Sequence, residues 1–321
     1  METVSIDVAV PWLDAARVGD LRLPALEWLV ARGRRADAPV ADWRGWLADD
    51  WLGAAGGLAM HPAGPCVRAA AGLEASGEAW ACLRPVHLLA AIDHLQVDAA
   101  PVHLEAGDRA TLVADLARHF AGTDYAFLDV SGPDWLLGSA RPLEVSSCAP
   151  DALPGRNLRE LMPRGADSAA IASLMNEVQM LLHEHPVNVA RTSRGVAPVN
   201  GLWPWGWGHE APVGRLELPV LATDDAWLEA AWRVHGGVVH GIDRVAALLR
   251  DGVPRICVGA VDLRADDPAA LERDCFEPLR RVAATGAARM RLRLGAHAWS
   301  IGRHARWRAW RRVRPLGEVL G

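Results

Sequence analysis

The stretch from Val4 to Val10 is mostly apolar and partly β-branched and stops at Pro11, the pattern of a strand. Leu23, Leu26, Leu29 and Val30 then recur at helical spacing, with Pro24 near the start and Gly33 at the end, so the first unit is βα. Asp42 to Gly57 is rich in Trp, Gly and Asp and is expected to be irregular. From Trp80 to Val145 the runs shorten. WACLRPVHLL, HLQVDA, PVHLE, YAFLDV and DWLLG predict strands of an antiparallel sheet, with one helix at Arg109–Phe120. Asp167 is expected to cap a long helix that buries Ile171, Leu174, Met175, Val178, Leu181 and Leu182 on one face. Beyond Leu218 the order is βαβα. LPVLA predicts a strand, Asp225–Val234 and Ile242–Arg250 helices, and RICVGAVDL a strand covered on both faces. Pro268–Thr285 predicts a helix and RMRLRL a half-buried strand.

These elements imply an α/β fold whose core sheet carries helices on both faces. The core comes from 1–78 and 196–321, and an inserted α+β subdomain spans 79–195. A chain of 321 residues, 51% hydrophobic and 23% charged, can bury such a core. Its net charge of -5 disfavours non-specific nucleic-acid binding. Every basic residue is arginine, which excludes Schiff-base and P-loop lysine chemistry. Cys66, Cys82, Cys148, Cys257 and Cys275 are odd in number and form no C-x-x-C pair, so buried thiols in a reducing compartment are expected. The acidic start lacks a signal-peptide pattern, and no apolar run approaches the ~20 residues of a membrane helix. The expected location is the cytoplasm, with no membrane partner.

Chemistry-bearing residues gather between Met175 and Gly208. Asn176, Gln179 and His183 share a helix face at i, i+3 and i+7, which suits a polar ligand or bonding to the adjoining loop. His185 precedes Pro186 and should end the helix as a hydrogen-bonding group. Its i, i+2 spacing from His183 is wrong for sharing a metal ion. Asn188, Arg191, Arg194 and Asn200 could hold an anion or serve as helix-end groups. Trp203, Trp205 and Trp207 alternate with Pro204, Gly206 and Gly208, so an extended segment would place the three indoles on one side as core packing. The tail GRHARWRAWRRVRP mixes seven Arg or His residues with Trp307 and Trp310. It suits a nucleic-acid anchor, but the favoured expectation is that its tryptophans pin into the core.

The run NEVQMLLHEHPVNVARTSRGVAPVNGLWPWGWG resembles the RpfE-type regulatory proteins of bacteria, as do WACLRPVHLLAAIDHLQV, the ARHF segment and RWRAWRR. That family is in turn similar to archaeal-type cofactor-independent phosphoglycerate mutases, and LPALEWLVARG resembles the first helix of their alkaline-phosphatase-like core. The resemblance implies two divalent metals, a Ser or Thr nucleophile and Asp/His ligands after several strands. Here no Asp-Gly corner follows the first strand, and no Asp-His pair occurs in the C-terminal half. The resulting expectation is a non-catalytic regulatory or binding protein without cofactor. It would hold a small anionic ligand or a protein partner at the core/insert cleft, through Asn176, Gln179, His183, His185, Asn188, Arg191, Asn200, Trp203 and Gly206. The alternative is a metal-dependent phosphoryl-transfer enzyme with a rearranged site drawn from Asp14, Asp224, Asp262 and His235. Nucleic-acid binding through the tail is the third and least expected reading.

Overall fold

Val4–Val10 forms strand β1, with Ile6, Val8 and Val10 wholly buried on one side and Asp7 and Ala9 on the other. In the computed structural model the described residues are 4–11, 13, 21–36, 43–52, 62–74, 77–90, 94–98, 100, 102–259 and 268–320. The other strands among them are β2 (Arg34–Ala36), β3 (Ala79–Val86), β4 (Leu88–Ala90), β5 (Leu95–Val97), β6 (Tyr125–Leu128) and β7 (Trp135–Ser139). They continue with β8 (Gly201–Gly208), β9 (Val220–Thr223), β10 (Val239–His240), β11 (Arg255–Gly259), β12 (Ala288–Leu294) and β13 (His297–Ile301). The chain divides into two units, Met1–Met60 with Val213–Gly321, and His61–Pro212. The inserted unit is therefore wider than 79–195. Strand β8 pairs with β3, and the helix Ala63–Ala70 packs so closely on β3 that a Cβ at Gly64 would lie 2.5 Å from the Trp80 carbonyl carbon.

The first unit holds a sheet in the order β10-β9-β11-β1-β12-β13-β2. The first five strands are parallel, and β13 is antiparallel to both of its neighbours. Register sets Ile6 between Ile256 and Met290, so one apolar face runs across three strands. Leu26 and Leu29 of the helix Pro24–Arg32 and Leu279 of the helix Glu277–Thr285 cover it. Burial of each such side chain stabilises by roughly 1.5–3 kcal/mol. The opposite face presents Ala9, Cys257 and Leu221 to Trp43, Leu47, Leu52, Leu228 and Trp232. The stretch expected to be irregular thus contains a helix, Trp43–Leu52. Its sequence period was hidden by Gly45, Asp49 and Asp50, but Trp43, Leu47 and Leu52 meet the sheet at i, i+4 and i+9.

The second unit has an antiparallel sheet in the order β6-β7-β3-β8 and a separate β4-β5 hairpin. Leu112 and Leu116 of the helix Ala106–His119, and Ile171, Leu174, Val178 and Leu182 of the helix Ser168–His183, pack with Leu83, Trp135 and Leu137. The predicted strand PVHLE does not form among its described residues; the His103 carbonyl accepts from the Arg191 guanidinium at 2.9 Å instead of a strand partner. Asp167 flanks its helix but makes no side-chain cap. Its carboxylate accepts from Arg141 at 2.7 Å and from the Glu144 amide at 2.8 Å, and these hold it below its usual value, Arg141 foremost.

The Trp/Gly run is itself strand β8. Between Cys82↔Trp205 and Trp80↔Gly208, β8 advances by three residues while β3 advances by two, a bulge at which Gly206 adopts φ +64. The extra residue turns Trp207 onto the side of Leu202 and away from the buried Trp203 and Trp205, so the three indoles do not share a face. A Cβ at Gly206 would lie 2.3 Å from the Ala63 Cβ. Gly206→Val is expected to lower stability by about 2–5 kcal/mol through backbone strain and overpacking. Urea unfolding measures this, and an unchanged midpoint would show that the bulge relaxes freely.

The C-terminal tail also departs from expectation. Trp307 and Trp310 are 64% and 76% exposed rather than pinned in the core. Guanidiniums hold this segment: Arg308 donates to the Arg32 carbonyl at 2.9 Å and Arg311 to that of Gly33 at 2.6 Å, satisfying the end of the helix Pro24–Arg32. Among the described residues, no helix is long and apolar enough to cross a membrane.

Candidate functional site

In the second unit, the polar residues between Met175 and Gly208 are mostly engaged with the chain itself. His185 is the N-cap of the helix Pro186–Ser193; its Nδ1 accepts from the Val187 amide at 3.2 Å, which leaves Nε2 to donate to Asp115 at 3.0 Å. Arg118 first, then His185, hold the Asp115 carboxyl below its usual value. The buried Asn188 amide donates to the carbonyls of Leu182 (2.7 Å) and Val199 (2.6 Å), and its oxygen accepts from the Val199 amide (2.9 Å). Arg191 donates to the Ala197 and His103 carbonyls and faces Asp108 at 3.5 Å. Asn200 accepts from the Leu88 amide at 2.6 Å and donates to its carbonyl at 2.9 Å, as a strand residue would. Trp203 donates its indole N–H to the Cys148 carbonyl at 2.9 Å. Asn176 and His183 stand exposed, with Gln179 half-buried beside them.

In the first unit, the carboxyl ends of parallel strands form the edge where open α/β sheets take ligands. Strand β9 ends there at Thr223 and is followed by Asp224 and Asp225. The Thr223 hydroxyl donates to the Gly259 carbonyl at 2.8 Å and accepts from the Asp225 amide at 3.0 Å, which ties the ends of β9 and β11 together. Engaged on both sides, this hydroxyl is not poised as a nucleophile. Asp225 is consumed as well. One oxygen caps the helix Ala226–Val234 through the Leu228 amide at 2.7 Å, and the other accepts from Arg44 at 3.0 Å. That guanidinium lies 4.6 Å from the Trp43 ring centroid and 5.4 Å from that of Trp227, so the buried ion pair is also stacked between rings and joins residues 181 positions apart.

Asp224 is exposed. Burial foremost, then the charge of Asp224, raises the thiol of Cys275 and leaves it an inert core group. Glu272 accepts from the Ala25 amide at the start of the helix Pro24–Arg32, so a carboxylate already occupies that helix N-terminus. Burial foremost raises the Glu272 carboxyl.

His235 does not join Asp224. It closes the helix Ala226–Val234, whose nine residues span about 13 Å at 1.5 Å per residue, and its Nδ1 meets the Gly214 carbonyl at 2.6 Å. Asp14 and Asp262 lie outside the described residues. Among the described residues, no three His, Cys, Asp or Glu side chains gather as a metal cage requires, so these residues alone do not fit a metal pair.

No family model matches the chain. A 2,3-bisphosphoglycerate-independent phosphoglycerate mutase of Methanosarcina acetivorans is 28% identical over 151 residues, 47% of this chain and 36% of its own length. The mutase of Methanothrix thermoacetophila is 39% identical over 151 residues, 41% of this chain and 38% of its own. The match thus spans little more than a third of these relatives. A solved cofactor-independent phosphoglycerate mutase from Thermoplasma acidophilum aligns with 94% of this chain and 89% of its own at 15% identity, with a TM-score of 0.38, too loose to bear any weight. These relatives overturn the expectation of a non-catalytic regulatory protein and favour the enzyme alternative. The RpfE-type resemblance is not shown by them. Over the shared segment, the chain is homologous to cofactor-independent phosphoglycerate mutases.

Proposed function

We propose that the chain is a phosphoryl-transfer enzyme of the phosphoglycerate-mutase type, acting on a small phosphorylated acid at the carboxyl ends of β9, β11 and β1. The observation that carries this reading is the sequence similarity to the archaeal mutases. Chain order agrees with it. Asp14, Asp224 and Asp262 each follow one of three neighbouring parallel strands, with Asp224 the described member. Any divalent metal would supply charge neutralisation on the transferring group, and the described residues do not hold one by themselves. The work of the described residues is to fix the edge. Thr223 joins two strand ends, the Arg44–Asp225 pair anchors the following helix, and Asp224 is left exposed. In the second unit, Asn176, Gln179 and His183 are proposed as contacts for a small anionic ligand.

Phosphorus NMR of the full chain with 3-phosphoglycerate and manganese is expected to show conversion to 2-phosphoglycerate. Asp224→Asn should slow it about a hundredfold or more, the scale of losing a positioned catalytic carboxylate. Failure to turn over the phosphoglycerate with magnesium, manganese, cobalt or zinc overturns the proposal.

A further inference from the structure

The opposite, amino-terminal edge of the same sheet carries a second concentration of charge. Alternation along β12 puts Arg289 and Arg291 on one face, and parallel register places them beside Ser5 and Asp7 of β1. Strand β13 is antiparallel to β12, with Ile301 opposite Met290, so its exit brings Arg303 and His304 to the start of β12. A cavity of about 640 Å³ opens there, lined by Asp7, Trp51, Arg289, Arg291, Arg303 and His304 among others. That volume lies within the range of small-molecule sites.

The lining is built for negative charge. Arg291 donates to Asp7 at 2.6 Å and lies 5.2 Å from the Trp46 ring centroid, so the single carboxylate named is spent on orienting one guanidinium. Arg289 and Arg303 have no carboxylate partner among the described residues, and both are exposed. The indole N–H of Trp51 is buried and meets no acceptor among the described residues, while Arg255 lies 5.4 Å from its ring centroid. Three guanidiniums facing one carboxylate run against the net charge of -5 on the chain as a whole. Guanidinium forks match phosphate oxygens bidentately, and an indole donor adds a further hydrogen bond.

We propose that this pocket is a second ligand site, separate from the carboxyl-end edge, that binds a small multiply charged phosphate compound. The test is calorimetric titration of the full chain with pyrophosphate, with citrate as the non-phosphate polyanion. Saturable pyrophosphate binding is expected, weakened at least tenfold in the Arg289→Gln/Arg303→Gln double variant and unchanged in Asp224→Asn. Both positions are exposed, so the double variant should keep the wild-type melting temperature. Three results would overturn the proposal: no saturation, equal affinity in the double variant, or loss of binding in Asp224→Asn, which would move the site to the opposite edge. Citrate binding as tightly as pyrophosphate, with the same arginine dependence, would overturn the phosphate assignment. None of these outcomes depends on mutase activity.

Discussion

Arg44→Met is expected to lower the unfolding free energy by about 3–5 kcal/mol, the scale of stranding one partner of a buried ion pair. Arg44 and Asp225 are both buried, and the guanidinium is enclosed by two tryptophan rings. The arginine supplies the countercharge that lets a carboxylate sit in an apolar layer. Methionine keeps much of the volume and removes the charge, so the expected loss is electrostatic. Urea unfolding should show a lower midpoint with an unchanged slope. The double variant Arg44→Met/Asp225→Asn should recover most of the loss, because asparagine still caps the helix Ala226–Val234 and carries no charge. Equal stability of Arg44→Met and the native chain would show that the pair does not hold the Thr223–Asp225 edge.

Asn188→Ala is expected to cost about 2–4 kcal/mol, because it strands buried backbone groups that the amide now satisfies. Those groups are the Leu182 carbonyl and both the amide and the carbonyl of Val199, so one side chain fastens the end of a long helix to the approach to β8. A thermal melt reads the effect directly. A ligand-binding asparagine would instead leave the melt unchanged and weaken substrate affinity, so the two roles give opposite results.

Where the sequence pattern is strong, it and the structure agree. β1, the helix Pro24–Arg32, the helix Ser168–His183, β11 and β12 each carry a full period of apolar residues. The helix Trp43–Leu52 was not legible, because its buried face is made of widely spaced tryptophans and leucines among glycine and aspartate. The tail tryptophans were misplaced because composition does not reveal that Arg308 and Arg311 hold the segment through backbone carbonyls and leave the indoles outside.

By itself, the sequence determined the α/β class and the cluster of polar residues after Met175. Both rest on local periodicity and composition, which neighbouring residues encode. Only the tertiary structure decided which polar groups are spent. Asn188, Arg191 and Asn200 find their partners in backbone that lies from six to 112 residues away. Likewise, only strand register gathered Arg289, Arg291 and Arg303 around one cavity. Hydrogen-bond satisfaction and strand register depend on how segments pair in space, which local periodicity does not encode.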